Sequence, residues 1–336
     1  AEGARRGPSI MPGGNKEAYQ HIKPIFEAAA AKFNGEPCVT YLGPKSAGNY
    51  VKMVHNGIEY GLMQLTSEVY DLLKKAGGLS NDELSSTFGE WNNGRLQSFL
   101  VEITADIFSQ DDDLTEGRLV DMILDKAKQK GTGKWTSQNA MDLGIPVPSI
   151  DIAVSMREIS AFKEMRLATE KLYEKPVPAV VEKQTFITLA ENALYFSFII
   201  TYAQGLQQLV EASEEYDYEL NMSEVAKIWR AGCIIRAALL DDIAQTFCGD
   251  NRLKNIVMAP AFVEKLKGTV RATREIIAYG VTNGIPLPGL SNSLTYFDAI
   301  TSGRLPLNLI QAQRDHFGSH TYERTDRDGI FHTNWS

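Results

Sequence analysis

The chain has 336 residues, of which 43% are hydrophobic and 23% charged, and its formal net charge is −8. That length can bury a large core, as one big domain or as two to three smaller ones, and the composition is ordinary for a soluble globular protein. The negative balance speaks against nucleic-acid binding as the main business, while leaving room for a local cationic pocket.

The opening "AEGARRGPSIMPGGN" reads as the middle of a loop, so a removed upstream part is expected. It carries no signal-peptide pattern. A helix is predicted around 18–33, its end marked by Asn34-Gly35, followed by a strand at 38–42 closed by Gly43-Pro44. From about 48 the pattern turns helical. Val54, Ile58, Leu62, Leu65 and Val69 recur at spacings of three and four, which predicts an amphipathic helix from about 47 to 75. Gly77-Gly78 ends it, and Ser80 with Glu83 three places on caps the next.

The chain then repeats itself. "LGIPVPSIDIAVSMREIS" at 143–160 returns as "NGIPLPGLSNSLTYFDAIT" at 283–301, and the stretch 83–108 answers to 224–247 with Trp91 over Trp229 and Gly94 over Gly232. Two copies of a several-helix unit, about 48–163 and 188–303, imply an all-helical body at 46–303. A central helix is predicted at about 178–213. Its most apolar run, 193–202, is too short to cross a bilayer, so no membrane role is expected. After 303 only about 306–316 looks helical. The rest of this tail either lies disordered or docks on another surface, and Phe317, Tyr322, Phe331 and Trp335 favour docking. The fold class is therefore mainly α, with a short α/β remnant at 1–45 and an extended C-terminal tail at 304–336. Cys38, Cys233 and Cys248 stand in no metal or redox spacing and read as reduced thiols of a cytoplasmic protein.

On the helix at 47–75, Lys52, His55, Asn56, Glu59 and Tyr60 fall on one face over two turns, opposite Val54, Ile58 and Leu62. Such a face is either a solvated decoration or a working surface. Histidine and asparagine add little to helix stability, which favours work. One histidine and one carboxylate do not make a zinc site, and no metal is expected. A lysine and a carboxylic acid facing one pocket suit general acid–base chemistry. In "KGTGKWTSQNA", Lys134 and Thr136 would offer a charge and a hydroxyl to an anion, although the spacing is not that of a phosphate loop. Arg157 is a lone arginine in an apolar run, and the second copy has Phe297 there, so the scaffold itself does not need the charge. Arg314 and His320 are further cations in the tail. Together these cations would suit a phosphate.

"GPSIMPGG", "VKMVHNGIEYGLMQL", "GTGKWTSQNAMDLGIPVP" and "LPLNLIQAQRDHFGSHTYER" resemble the 6-phosphogluconate dehydrogenase family from end to end of this chain. The resemblance implies an N-terminal dinucleotide-binding domain, a duplicated helical domain and a tail that enters the partner of a homodimer. It implies NADP-dependent oxidative decarboxylation of 6-phosphogluconate, without a metal. Lys52 would be the general base and Glu59 the general acid, with His55 and Asn56 on the sugar hydroxyls. Tyr60, Lys134, Thr136, Arg157 and the partner-donated Arg314 would take the phosphate, with His320 in the same pocket.

Four departures qualify that transfer. The family's serine-glycine-glycine would lie just before Ala1, and no Gly-x-Gly-x-x-Gly turn occurs after a strand in this chain, so the chain alone is expected to be inactive. His316 stands where tyrosine is more usual, and Asn49-Tyr50 where histidine and an aromatic residue are common. The alternative reading is a non-catalytic helical scaffold or sugar-phosphate-binding fragment. A looser β-hydroxyacid dehydrogenase would lack the internal repeat and the tail cations.

Overall fold

The computed structural model describes residues 2–251 and 253–335. Among these residues the chain is mainly α-helical, with two short antiparallel ribbons, and it divides into two compact units at Leu294 and Thr295.

The first unit opens with helix α1 (Glu2–Arg6), helix α2 (Lys16–Ala29) and a ribbon of β1 (Lys32–Phe33) and β2 (Glu36–Pro37). The helix predicted to reach residue 33 stops sooner. Ala30 is already extended, and Ala31 donates its N–H to Pro8 O at 3.0 Å. Asn34 and Gly35 take φ of 50° and 86°, angles that suit a tight two-residue hairpin turn. The Asn-Gly signal therefore joins β1 to β2 and does not end the helix. The strand expected at 38–42 reduces to one parallel bridge between Ile10 and Val39, extended by Leu42 N–H to Pro12 O at 2.9 Å. Pro8 and Pro12 on the facing segment have no N–H to continue a ladder.

Helix α3 (Ala47–Lys75) has the predicted bounds, and α4 (Asn81–Asn92) starts on a full capping box between Ser80 and Glu83. There follow α5 (Phe99–Ser109), α6 (Leu119–Met122), α7 (Thr132–Asp142), α8 (Pro148–Ala161) and α9 (Lys163–Glu170). Then come α10 (Lys183–Glu215), α11 (Met222–Ile228), α12 (Leu239–Gly249), a 3-10 turn (Ile256–Met258), α13 (Pro260–Thr282) and α14 (Pro288–Ile300). Helix α10 begins five residues later than predicted. Pro176 and Pro178 hold the preceding chain extended, and the Glu182 carboxylate caps Gln184 and Thr185 N–H at 3.0 and 2.7 Å. By length and composition α10 could cross a membrane, but 72% of its most apolar window is buried in the protein, where it packs on α3 and α13.

The two Gly-Ile-Pro segments make the same turn. Gly144 and Gly284 sit at φ 69° and 63°, while Ile145 and Ile285 donate back to Ala140 O and Gly280 O at 2.8 and 2.9 Å. Pro148 and Pro288 then start α8 and α14, where a missing N–H costs nothing. Each helix start is held by a side chain from a long helix. Gln204 of α10 accepts Ser149 N–H at 3.0 Å, and Glu68 of α3 accepts Gly289 and Leu290 N–H at 2.7 and 2.9 Å. The segments before α5 and α12 also pair, with Phe99 N–H to Arg236 O at 3.0 Å and Ala238 N–H to Gln97 O at 2.9 Å.

In the second unit α15 (Leu307–Gly318) leads into a ribbon of β3 (Tyr322–Glu323) and β4 (Ile330–Phe331). The helix expected to end near 316 continues to Gly318 and closes on Ser319 in a left-handed conformation. The one buried side chain of α15 is a carboxylate, Asp315.

Candidate active site

Lys52 opens the site on the second turn of α3. Its ammonium lies 3.2 Å from His55 Nδ1, which is in turn 3.1 Å from Asn56 Oδ1. The five side chains predicted to share one face do not share one environment. Lys52 is exposed, Asn56 and Glu59 are half-buried, and His55 and Tyr60 are buried at 0% and 6% exposure. The helical spacing is as read, but a face two turns long is wide enough for its flanks to roll into neighbouring helices. His55 stands edge-on to Trp229 with ring centroids 5.6 Å apart. Tyr60 clusters with Ala153 and Val154 of α8.

Glycines make this closeness possible. A Cβ on Gly57 would lie 2.5 Å from Thr136 Cγ2, and one on Gly133 would lie 2.3 Å from the Tyr60 ring. So α7 lies directly against α3, with Thr136 at the contact. Its side chain is fully buried, and its hydroxyl is shared between Met53 O at 2.9 Å and Thr132 O at 3.0 Å. In this arrangement the hydroxyl seals the α3–α7 contact. Lys134 remains exposed, in the first turn of a helix whose N-terminus carries no side-chain cap.

Arg157 of α8 finds its partners here. Its guanidinium lies over the Tyr60 ring, 3.5 Å from the centroid. It also donates to Lys128 O at 3.3 Å and approaches Met63 Sδ at 3.6 Å. Composition could not have singled out Met63, Trp229 or the Lys128 carbonyl. Gly57 and Gly133, far apart in the chain, are where missing side chains let α7 meet α3.

The charges bear on one another. Although the Lys52 side chain is exposed as a whole, desolvation around its ammonium lowers its proton affinity, and the nearby Glu59 and Cys233 offset part of that fall. Burial raises Glu59, against the pull of Lys52 and Arg157. Burial, together with the Lys52 charge, pushes His55 down to about 3 despite its contact with Asn56, so its ring is neutral. The Cys233 thiol is pushed up to about 12, chiefly by burial, so it is no nucleophile at neutral pH. A lysine biased toward neutrality and a carboxyl biased toward protonation, two turns apart on one helix, have the displaced proton affinities that acid–base chemistry uses.

Residues 48–335 match the family model described as "6-phosphogluconate dehydrogenase, C-terminal domain", and residues 1–43 match "NAD binding domain of 6-phosphogluconate dehydrogenase". The chain belongs to the 6-phosphogluconate dehydrogenase family. It is 53% identical over 336 residues to the NADP(+)-dependent, decarboxylating 6-phosphogluconate dehydrogenase of Bacillus subtilis, covering 99% of this chain and 72% of that one. It is 52% identical over 337 residues to the decarboxylating enzyme of Escherichia coli K12, at the same coverage. A solved structure of Plasmodium falciparum 6-phosphogluconate dehydrogenase, described as apo and in complex with NADP+ and with 6-phosphogluconate, superposes with a TM-score of 0.97. That protein is 49% identical to this chain, covering 99% of this chain and 72% of its own.

The two tail cations assigned by the family resemblance lie in the second unit. Arg314 is exposed and donates to Gln311 Oε1 at 3.1 Å. His320 is exposed and edge-on to Phe317, with centroids 5.9 Å apart.

Proposed function

We propose that this chain provides the substrate and dimerisation part of an enzyme that oxidises and decarboxylates 6-phosphogluconate to ribulose 5-phosphate and CO2. The observation that carries this reading is the Lys52–Glu59 pair, two turns apart on α3, with proton affinities displaced toward each other. Lys52 takes the proton of the C3 hydroxyl as hydride departs from C3. The resulting 3-keto acid loses CO2 because the developing charge delocalises into the adjacent carbonyl, which protonated Lys52 polarises. Glu59 then protonates C2 of the enediol. Asn56 holds sugar hydroxyls, and buried, neutral His55 bears on them through Lys52 and Asn56. Lys134, Arg157 and the uncapped start of α7 form a cationic seat for the phosphate, with Tyr60 beneath Arg157.

NADP is the hydride acceptor in this reading. Among the described residues no strand, glycine turn and helix combine into a dinucleotide site, so no further step is derived through it. In the same reading, residues 1–45 lead from a dinucleotide-binding domain, 46–303 form the duplicated helical domain, and 304–336 dock on a second subunit of a cytoplasmic homodimer. There Arg314 and His320 complete the partner's phosphate site. The test is NADPH formation and CO2 release from 6-phosphogluconate by the protein as it occurs in its source. Tight sugar-phosphate binding without NADP reduction would instead favour the scaffold reading.

A further inference from the structure

The tail has a polar centre. Asp315 is 0% exposed on a helix with no other buried side chain. Both of its carboxylate oxygens are filled. Oδ1 accepts Thr321 N–H at 2.9 Å and faces His332 Nδ1 at 2.8 Å, while Oδ2 accepts Thr333 N–H at 3.0 Å and the Trp335 indole N–H at 2.8 Å. Two oxygens offer about four acceptor positions, so the carboxylate is saturated. Burial works against its charge, but these four donors outweigh it and hold the carboxyl well below the ordinary carboxylate range.

The hub fastens a strained turn. Ser319 and Thr321 both have positive φ, 51° and 60°, which β-branched threonine in particular avoids. His320 lies between them. Asp315 grips this turn from both sides, through its carboxylate to Thr321 N–H and through its main-chain carbonyl to Ser319 N–H at 2.9 Å. One turn earlier, Gln311 ties the same segment to the neighbouring cation. Its amide nitrogen donates to Thr321 O and its Oε1 accepts from Arg314 Nη1. Arg314 and His320 are thus connected through Gln311, Thr321 and Asp315, a network that also draws in the chain end at 332–335.

We propose that Asp315 and Gln311 are positioning residues that hold Arg314 and His320 in one fixed arrangement for the anionic end of the sugar phosphate. The proposal rests on the reading above, in which those two cations meet the substrate. Neither Asp315 nor Gln311 touches substrate. They act through the turn that presents the cations, where small displacements weaken charge-assisted contacts sharply.

The test is steady-state kinetics on the whole enzyme with Asp315→Asn, Gln311→Ala and Arg314→Ala, and with Gln311→Ala combined with Arg314→Ala. Asp315→Asn keeps the shape of the hub but replaces one acceptor oxygen by a donor. It should raise KM for 6-phosphogluconate about tenfold with KM for NADP unchanged and kcat little altered. Gln311→Ala leaves the buried carboxylate in place and should keep the native melting temperature. It should raise the same KM by about threefold alone, yet add nothing once Arg314 is gone. If Asp315→Asn does not fold, the Gln311 cycle decides. Additive effects of Gln311 and Arg314, or a wild-type KM in every folded Asp315 and Gln311 variant, would overturn the proposal while leaving the assigned reaction intact. A wild-type enzyme that neither binds nor oxidises 6-phosphogluconate overturns both.

Discussion

Lys52 and Glu59 act on each other, and the direction of each effect can be measured. The negative charge of Glu59 supports the protonated form of Lys52, so Glu59→Gln should move the lysine limb of the kcat/KM pH profile to lower pH. Arg157 supports the ionised form of Glu59. In Arg157→Gln the carboxyl should hold its proton to higher pH, and the limb assigned to Glu59 should move up. A profile unchanged in both variants would show that these groups do not set the rate. Lys52→Gln removes the proposed base and should lower kcat by about 10³-fold, the range of general acid–base catalysis, with the fold intact by circular dichroism. These residues were legible because each carries a distinctive chemistry at helical spacing. Depth was not legible. Nothing in "KMVHNGIEY" says that His55 and Tyr60 turn inward while Lys52 stays exposed, because that depends on Trp229 and Gly133, far away in sequence.

At the scale of elements, long amphipathic helices were readable from their period, as α3 shows, and so was the capping box of α4. Short elements were not. Asn34-Gly35 suits a helix end and a hairpin turn alike, and only the pairing of Ala31 with Pro8 and Cys38 decides between them. Glu68 was also invisible, since a lone glutamate in an amphipathic helix normally faces water. Here it is 4% exposed and anchors the start of α14. Burial raises its carboxyl to about 7, against hydrogen bonds from Leu290, Gln64 and Gly289. The folded chain therefore binds this proton more tightly than the unfolded chain does. Stability should fall as pH rises from about 4.5 to about 7, by on the order of 3 kcal/mol from this group. Glu68→Gln should flatten that slope in urea unfolding measured at pH 5 and pH 8. A slope that survives the substitution would assign it to other groups. The contact of α3 with α7 is the second element-scale test. Gly57→Ala forces a methyl against a fully buried, β-branched Thr136, and should cost about 1–3 kcal/mol in the same assay.

At the scale of the whole molecule, the tail raises a question that its own structure frames. Leu307, Leu309, Ile310, Phe317 and Ile330 remain exposed, although the ribbon and the Asp315 hub give the segment a defined form. Large apolar side chains on a well-fastened element are costly unless another surface covers them. The proposed cover is a second subunit, and complementation can test it. A Lys52→Gln subunit keeps a sound tail, and an Arg314→Ala subunit keeps a sound base. If each tail serves the partner's site, a mixed dimer contains one site with both lesions and one with neither. Random reassociation of equal amounts should then restore about one quarter of wild-type activity from two nearly inactive parents, because half the dimers are mixed and each has one intact site. If each tail serves its own subunit, every site in the mixture keeps one lesion and mixing restores nothing. Subunit exchange can be checked separately by tagging one parent and recovering both. Recovered mixed dimers without activity would therefore exclude the exchanged tail, while about a quarter of full activity in the unfractionated mixture would require it.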